Sequence, residues 1–200
     1  MIDLYTWSTP NGRKASIMLE EVRLKYTVVA TDISKNASRT DDFLTMNPNG
    51  KIPVIVDRDA GRTVVESGAI LLYLADKSGQ LLPTGDTLEW MFFQAAHVGP
   101  MLGQLGYFKV FAKEPVPAAI ARFETEVARV LGVLDTRLTN SANLGGSGFG
   151  LADIMTYPWV VSARDRLGVD FSPLPHLARW LAEIGARPGV VRGMAVPAVT

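Results

Sequence analysis

Cysteine is absent from this chain of 200 residues. Its absence excludes disulfide bonds, thiolate metal sites and a nucleophilic thiol that belongs to the protein. Any sulfur chemistry would therefore have to use a sulfur atom that a ligand supplies.

Net charge and long hydrophobic runs are also lacking. The 20 basic and 20 acidic side chains cancel, which leaves no electrostatic reason to expect nucleic acid or an anionic membrane as a partner. No apolar run approaches the ~18 residues of a membrane-spanning helix, and the first residues show no secretory pattern. We therefore expect a cytoplasmic protein that uses neither membrane nor nucleic acid.

Histidine is rare, with His97 and His176 far apart along the chain. Neither has a carboxylate nearby at ligand spacing, so the sequence predicts no zinc site and no Ser-His-Asp arrangement. We predict surface or packing roles for both, and no metal.

The elements of the first half follow a recognisable order. β-branched runs and helical spacing predict strands at 2–6, 26–30, 54–56 and 63–65, with helices from about 10 to 24, at 41–44 and from 67. The order is βαβ followed by αββα, as in thioredoxin, although other small α/β sandwiches share it.

The second half has helical periods throughout. We predict helices at 88–112, 116–139, 151–167, 175–185 and 188–194. A segment rich in Gly, Pro and polar residues separates the halves. The predicted domains are residues 1–80 and 88–200, with a linker at 81–87.

Pro53 marks the first motif with chemical meaning. It follows Asn-Pro-Asn-Gly-Lys51-Ile52 and precedes a β-branched run. Because proline cannot donate to a ladder, it must begin the strand or lie in a tight turn, whose exposed backbone could pair with a peptide-like ligand. The alternative is a solvated Lys51 before an edge strand.

Glu66 and Ser67 open the next helix. An acid, a hydroxyl and free amides at a helix N-terminus form a ready anion site, although both residue types also suit simple capping. Together with the proline turn, the pair predicts a pocket for a small acidic ligand.

These motifs resemble those of the glutathione transferase family, which has a cis-Pro before its third strand and a Glu/Gln-Ser pair opening its third helix. The opening Leu-Tyr-Thr-Trp-Ser-Thr9-Pro-Asn-Gly-Arg-Lys14 is most similar to the bacterial nu class, known for reducing disulfides with glutathione. The resemblance covers the whole chain. It implies the glutathione transferase fold, an α/β thioredoxin-like N-terminal domain plus an all-α C-terminal domain.

The resemblance also implies an activity. Glutathione would be the co-substrate, with its cysteinyl part on the Lys51-Ile52-Pro53 turn and its γ-glutamyl end on Glu66 and Ser67. Its thiolate would attack a small disulfide, and the protein would work as a homodimer. Two alternatives stay open: conjugation of an electrophile, and a non-catalytic glutathione-binding or interaction module.

Thr9 and Asn11 precede the first helix and are the predicted catalytic residues. Either could be an ordinary N-cap. With the resemblance, a thiolate at this helix end would accept hydrogen bonds from both side chains and feel the positive end of the helix dipole. Spacing leaves open which of the two is closer to sulfur.

Three predictions concern the helical half. Met101, Gln104 and Phe108 lie in a Gly-rich helical stretch that is either a kink where helices cross or, by the resemblance, a wall of the second-substrate pocket. Arg129 is either solvated or a basic group that reaches glutathione in the partner chain.

Gly150 and Asp153 resemble the family's helix-opening capping box, whose first position is usually Ser or Thr. Since glycine has no side chain, only Asp153 can act. We predict a structural role for it.

Overall fold

The computed structural model describes residues 1–146 and 148–198, which form two compact units. The first comprises Met1–Leu82 together with the segment from Ala186, and the second comprises Pro83–Gly185. One unit contains a sheet and the other is helical, so the predicted fold class is confirmed. The predicted boundaries at 80 and 88 stay predictions, and the segment from Ala186, expected in the helical domain, lies with the first unit.

The elements of the first unit alternate between strand and helix. They are β1 Ile2–Thr6, α1 Pro10–Glu21, β2 Tyr26–Ala30, α2 Asp41–Met46, β3 Val54–Asp57, β4 Arg62–Val65, α3 Ser67–Ser78 and α9 Pro188–Met194. Short 3₁₀ turns at Ile33–Lys35 and Ala37–Arg39 precede α2.

One sheet forms the centre of this unit, in the order β2-β1-β3-β4. β1 pairs with β2 in parallel and with β3 in antiparallel register, and β4 is antiparallel to β3. β1 is almost entirely buried because it is central and covered by helices. Its Leu4, with Ile55 on β3 and Leu71 on α3, belongs to the core.

α9 closes the first unit by packing on α1. Ser16 Oγ on α1 donates to the Gly193 carbonyl on α9 at 2.7 Å. A Cβ added at Gly193 would overlap the Ile17 backbone, so only glycine allows this approach. Ion pairs from Arg187 to Glu21 and from Arg192 to Glu20 flank the contact.

The second unit is built from the helices α4 Thr87–Phe93, α5 Gly99–Gly106, α6 Pro117–Thr139, α7 Leu151–Asp165 and α8 Pro175–Gly185. Wider π-helical turns, Gln94–Val98 and Tyr107–Phe111, join α4 to α5 and extend α5. The helical path over 87–111 therefore follows the predicted range 88–112 closely. Among residues 1–146 and 148–198, no helix has the length and apolarity needed to cross a bilayer.

Asp153 organises the start of α7. Its carboxylate accepts hydrogen bonds from the amides of Gly150 and Leu144 and from the Trp180 indole, at 2.8–3.0 Å. Burial raises the pKa of Asp153, although these hydrogen bonds oppose the rise. The structural role predicted for this residue agrees with the contacts, and the half of the capping box that a Ser or Thr would supply is missing at Gly150.

Candidate active site

A cleft of about 260 Å³ lies in the first unit, where α1, the β3-preceding turn and α3 meet. Its lining is mostly polar: Asn11, Asn47, Asn49, Lys51, Ile52, Pro53, Glu66 and Ser67. The N-termini of α1 and α3 both contribute to it. Because each helix start carries free amides and a partial positive charge, the cleft favours an anionic group.

The first wall is the start of α1. Thr9 is the N-cap, and its hydroxyl oxygen accepts from the Gly12 amide at 3.1 Å. Pro10 occupies the first helical turn, where its missing N–H costs nothing. Asn11 follows and lines the cleft. Gly12 is required here, since a Cβ would overlap the Trp7 carbonyl.

The second wall is the turn before β3. Asn47 holds it from within: its side-chain amide donates to the Lys51 carbonyl at 2.8 Å, and its side-chain oxygen accepts from the Asn49 amide at 3.1 Å. The Ile52–Pro53 bond is cis. Within the described residues, the Ile52 amide and carbonyl have no backbone partner, which leaves them available to an extended ligand.

The third wall is the start of α3. Glu66 precedes the helix at φ +69°, in a region that a non-glycine residue rarely adopts. Its carboxylate makes no capping bond to the helix. Ser67 is the first helical residue and is partly buried. The simple capping alternative therefore does not describe Glu66, whose exposed carboxylate remains available at the cleft.

Lys14 lies behind this wall and was not predicted. Its side chain is 2% exposed, and its Nζ donates to Ser67 Oγ over a long 3.4 Å. Burial lowers the pKa of Lys14 to about 7, and the nearby charge of Glu66 opposes that shift. The sequence offered one signal, a lysine at a helix position where the neighbouring side chains are apolar.

The structure brings six predicted residues together in one cleft: Asn11, Lys51, Ile52, Pro53, Glu66 and Ser67. Thr9 caps the helix from which Asn11 projects. Asn47 and Asn49 are further lining residues that sequence reasoning missed. They stand in the quoted Asn-Pro-Asn-Gly motif, and an Asn that bonds its own turn is the signal that could have identified them.

The other predicted residues belong to the second unit. Arg129 on α6 is half-exposed and forms hydrogen bonds and an ion pair with Glu126, one turn earlier. Met101 and Gln104 lie on α5, and Phe108 in the following π turn stacks on Phe123 at 5.8 Å between ring centroids. Their predicted roles toward a ligand stay predictions.

A metal centre finds no support in the chain as described. Over residues 1–146 and 148–198, no group of three or more His, Asp or Glu side chains could hold a metal ion. His97 is exposed and packs against Phe93 at 5.2 Å between ring centroids.

Comparison with family models gives a match for each half of the chain. Residues 1–76 match the model described as "Glutathione S-transferase, N-terminal domain". Residues 117–183 match the model described as "Glutathione S-transferase, C-terminal domain".

Relatives of known name extend the comparison. The disulfide-bond oxidoreductase YfcG of Escherichia coli is 42% identical over 198 residues, which is 94% of this chain and 92% of the relative. The disulfide-bond oxidoreductase YghU of the same organism is 34% identical and is matched over 98% of this chain and 74% of its own length.

A solved structure shares the whole architecture. It is a glutathione transferase from Burkholderia graminis with two glutathione molecules bound per subunit. The TM-score is 0.92 at 39% identity, over 100% of this chain and 89% of that one.

Proposed function

Since the chain belongs to the glutathione S-transferase family, we propose that it is an enzyme that binds glutathione in the first unit's cleft and uses the thiol to reduce disulfides. The observation that carries the proposal is the meeting of three features in that cleft: the start of α1 at Asn11, the Ile52–Pro53 turn, and the start of α3 at Glu66 and Ser67.

Each feature suits one part of glutathione. The Ile52 amide and carbonyl can pair with the cysteinyl backbone as a neighbouring strand would. Ser67 and the free amides of α3 can hold the γ-glutamyl carboxylate, and Glu66 can accept from the γ-glutamyl amine. Lys51, which lines the same cleft, is positioned to attract the remaining carboxylate.

The start of α1 supplies what a thiolate needs. The Thr9 hydroxyl accepts from Gly12 and keeps its own hydrogen for donation. Asn11 lines the cleft and can donate through its side-chain amide. These donors and the positive end of α1 lower the pKa of a bound thiol from its reference near ~8.5. Thr9 and Asn11 are the catalytic residues we propose.

The reaction then needs two glutathione molecules. The first thiolate attacks one sulfur of the substrate disulfide, which forms a mixed disulfide and releases the other half as a thiolate that takes up a proton. A second glutathione thiolate attacks the glutathione sulfur of the mixed disulfide, which yields glutathione disulfide and the second free thiol. The substrate is reduced and glutathione is oxidised. A chain without cysteine can support this chemistry because both nucleophiles belong to ligands.

Conjugation of an electrophile is the second candidate, because the same activated thiolate could attack carbon instead of sulfur. The third is a non-catalytic module that binds glutathione without turnover. Rates distinguish the three. We expect a small hydroxyalkyl disulfide to be reduced faster than an aryl halide is conjugated at equal glutathione, since the site offers donors to sulfur but no basic group beside it.

Asn11→Ala should lower the disulfide rate, whereas Lys113→Ala, an exposed change in the second unit, should leave it intact. Conjugation as the dominant activity would reverse our ranking. Glutathione binding without a rate on either substrate would favour the module.

Assembly and location complete the proposal. We propose a cytoplasmic homodimer, in which Arg129 leaves its contact with Glu126 and reaches glutathione in the partner chain. The exposed aromatic side chains of Phe92 and Phe111, 71% and 62% exposed, support association, because large exposed apolar groups mark interaction surfaces. Light scattering tests the dimer. Arg129→Ala should weaken glutathione binding only if the dimer forms.

The second-substrate pocket is the least constrained part of the proposal. We assign its wall to Met101, Gln104 and Phe108, which lie on successive helical turns. Phe108→Ala should then change the Michaelis constant for the disulfide and leave the affinity for glutathione unchanged.

A further inference from the structure

Lys14 is the one lysine described here that is fully buried, and it lies directly behind the cleft. Lysine is almost never buried unless it has a partner. This side chain is 2% exposed among the apolar residues of α1, and its Nζ lies 3.4 Å from Ser67 Oγ. Ser67 in turn lines the cleft. One hydroxyl therefore separates a buried amine from the place where an anionic ligand would lie.

The charges around Lys14 are few. Glu66 at the start of α3 is the charged group whose field reaches it. Other charged side chains on the elements packed against α1 are engaged elsewhere: Asp3 with Arg58, Lys77 with Asp57, Arg187 with Glu21, and Arg192 with Glu20. Asp76 lies at the opposite end of α3 and is exposed. A new negative charge at Ser67 would therefore change the surroundings of Lys14 substantially.

We propose that Lys14 is a positioning residue for glutathione: its amine, held behind Ser67, becomes charged when the γ-glutamyl carboxylate lies at the start of α3 and then holds Ser67 and that carboxylate in place. The inference rests on the proposed function, and it assigns Lys14 to ligand binding rather than to packing.

The physical reason is the balance between burial and a neighbouring charge. Burial disfavours the ammonium form, and in the empty protein the pKa of Lys14 is about 7. A carboxylate within roughly 4–6 Å favours the charged form again, and it does so strongly where little water screens the pair. Binding should therefore raise the pKa of Lys14 and draw a proton from solution.

The uptake has a defined pH dependence. At about pH 8, one unit above the starting pKa, Lys14 is mostly neutral before binding, and uptake should approach one proton per ligand. At about pH 6 it is already charged, and uptake should be small. A residue with a purely structural role would show neither behaviour.

The experiment is titration calorimetry of the full chain with S-methylglutathione, in buffers of different ionisation enthalpy at both pH values. The methyl group removes the thiol, whose own ionisation would otherwise contribute protons. Lys14→Met keeps the length of the side chain and removes its charge, so the uptake at about pH 8 should vanish and affinity should fall about tenfold.

Two further variants keep the result interpretable. Lys51→Met removes an exposed lysine from the same cleft, and it should retain the proton uptake whatever it does to affinity. Lys14→Arg carries a permanent charge, and it should bind near the parent affinity without uptake. If the Met variant does not fold, the Arg variant decides.

Equal uptake in the parent and in both Lys14 variants would overturn the inference, as would a parent that binds without any uptake at about pH 8. Failure of the parent to bind S-methylglutathione or glutathione at all would instead contradict the proposed function. The two failures are therefore distinguishable.

Discussion

The hydroxyl oxygen of Thr9 accepts a hydrogen bond from the Gly12 amide at 3.1 Å. Capping and catalysis are often treated as alternatives for such a residue, yet they use different parts of the hydroxyl. The oxygen lone pair satisfies the helix, whereas the hydrogen remains available to a ligand. One side chain can therefore begin α1 and still donate to a thiolate at the same helix end.

The first prediction separates these two roles. Thr9→Ala should raise the thiol pKa of bound glutathione and lower the free energy of unfolding by about 1 kcal/mol, the usual cost of a lost N-cap. Thr9→Ser should preserve both quantities. Asn11→Ala should raise the thiol pKa at a smaller cost in stability, because Asn11 is not the cap. Thiolate absorbance against pH and urea unfolding measure the two effects.

The double variant of Thr9 and Asn11 should raise the thiol pKa more than either single variant, although two donors to one sulfur need not act additively. If all variants retain glutathione and titrate like the parent, the sulfur lies elsewhere and the catalytic assignment fails.

The second prediction concerns the start of α3. Glu66→Gln and Ser67→Ala should each weaken glutathione binding about tenfold, because each removes a charge-assisted hydrogen bond worth ~1.5–3 kcal/mol. Ser78→Ala, at the other end of the same helix, is the matched control, since Ser78 bonds only to its own helix and the residue after it. Calorimetry gives the affinities and circular dichroism the fold. Unchanged affinity in both cleft variants would assign the pair to structure alone.

The third prediction follows from the burial of Lys14 in the empty protein. Its pKa is about 7 in the folded state against an ordinary value of 10.5. Between these values the unfolded chain binds the extra proton, so stability should rise with pH over that window. Lys14→Met should remove this rise and be more stable than the parent near pH 7, by up to about 5 kcal/mol.

The measurement for Lys14 is urea unfolding of parent and variant at several pH values without ligand. The difference between the two curves cancels the contributions of other titrating groups. Lys51→Met should keep the parent's slope, because Lys51 is exposed. A difference that does not change with pH would mean that Lys14 is charged when buried.

The fourth prediction completes the cap of α7. Gly150 has extended backbone angles, and a Cβ there would meet nothing nearer than the Gly148 carbonyl at 3.9 Å. Gly150→Ser should therefore fit and accept from the Asp153 amide, which raises the free energy of unfolding by about 0.5–1 kcal/mol. Gly150→Ala separates the hydroxyl from the loss of backbone freedom. Thermal unfolding would contradict the expectation if the Ser variant melted no later than the Ala variant.

Local patterns carried much of the fold. The strand Ile2–Thr6 and the helix Pro175–Gly185 have the predicted bounds, because alternation and apolar spacing report on each element alone. The cleft motifs were also local: Pro53 and the Glu66-Ser67 pair announce a turn and a helix start by their residue types.

The rest depends on contacts that the sequence does not order. Lys14 reads as a surface lysine until α3 packs against α1 and buries it. Helix α9 was predicted as a helix, yet its placement with the first unit depends on Gly193 meeting Ile17. Both are long-range pairings, which no periodicity within one element can indicate.

The packing of α9 on α1 has a consequence for biosynthesis. A ribosome makes the sheet and α1 first and the segment from Ala186 last. Until that segment emerges, Ser16 lacks the Gly193 carbonyl as its acceptor, and Glu20 and Glu21 lack their arginines. The unit that carries the cleft is thus completed only at the end of translation. Chains that stop before α9 leave one face of α1 uncovered, a surface that chaperones and proteases recognise.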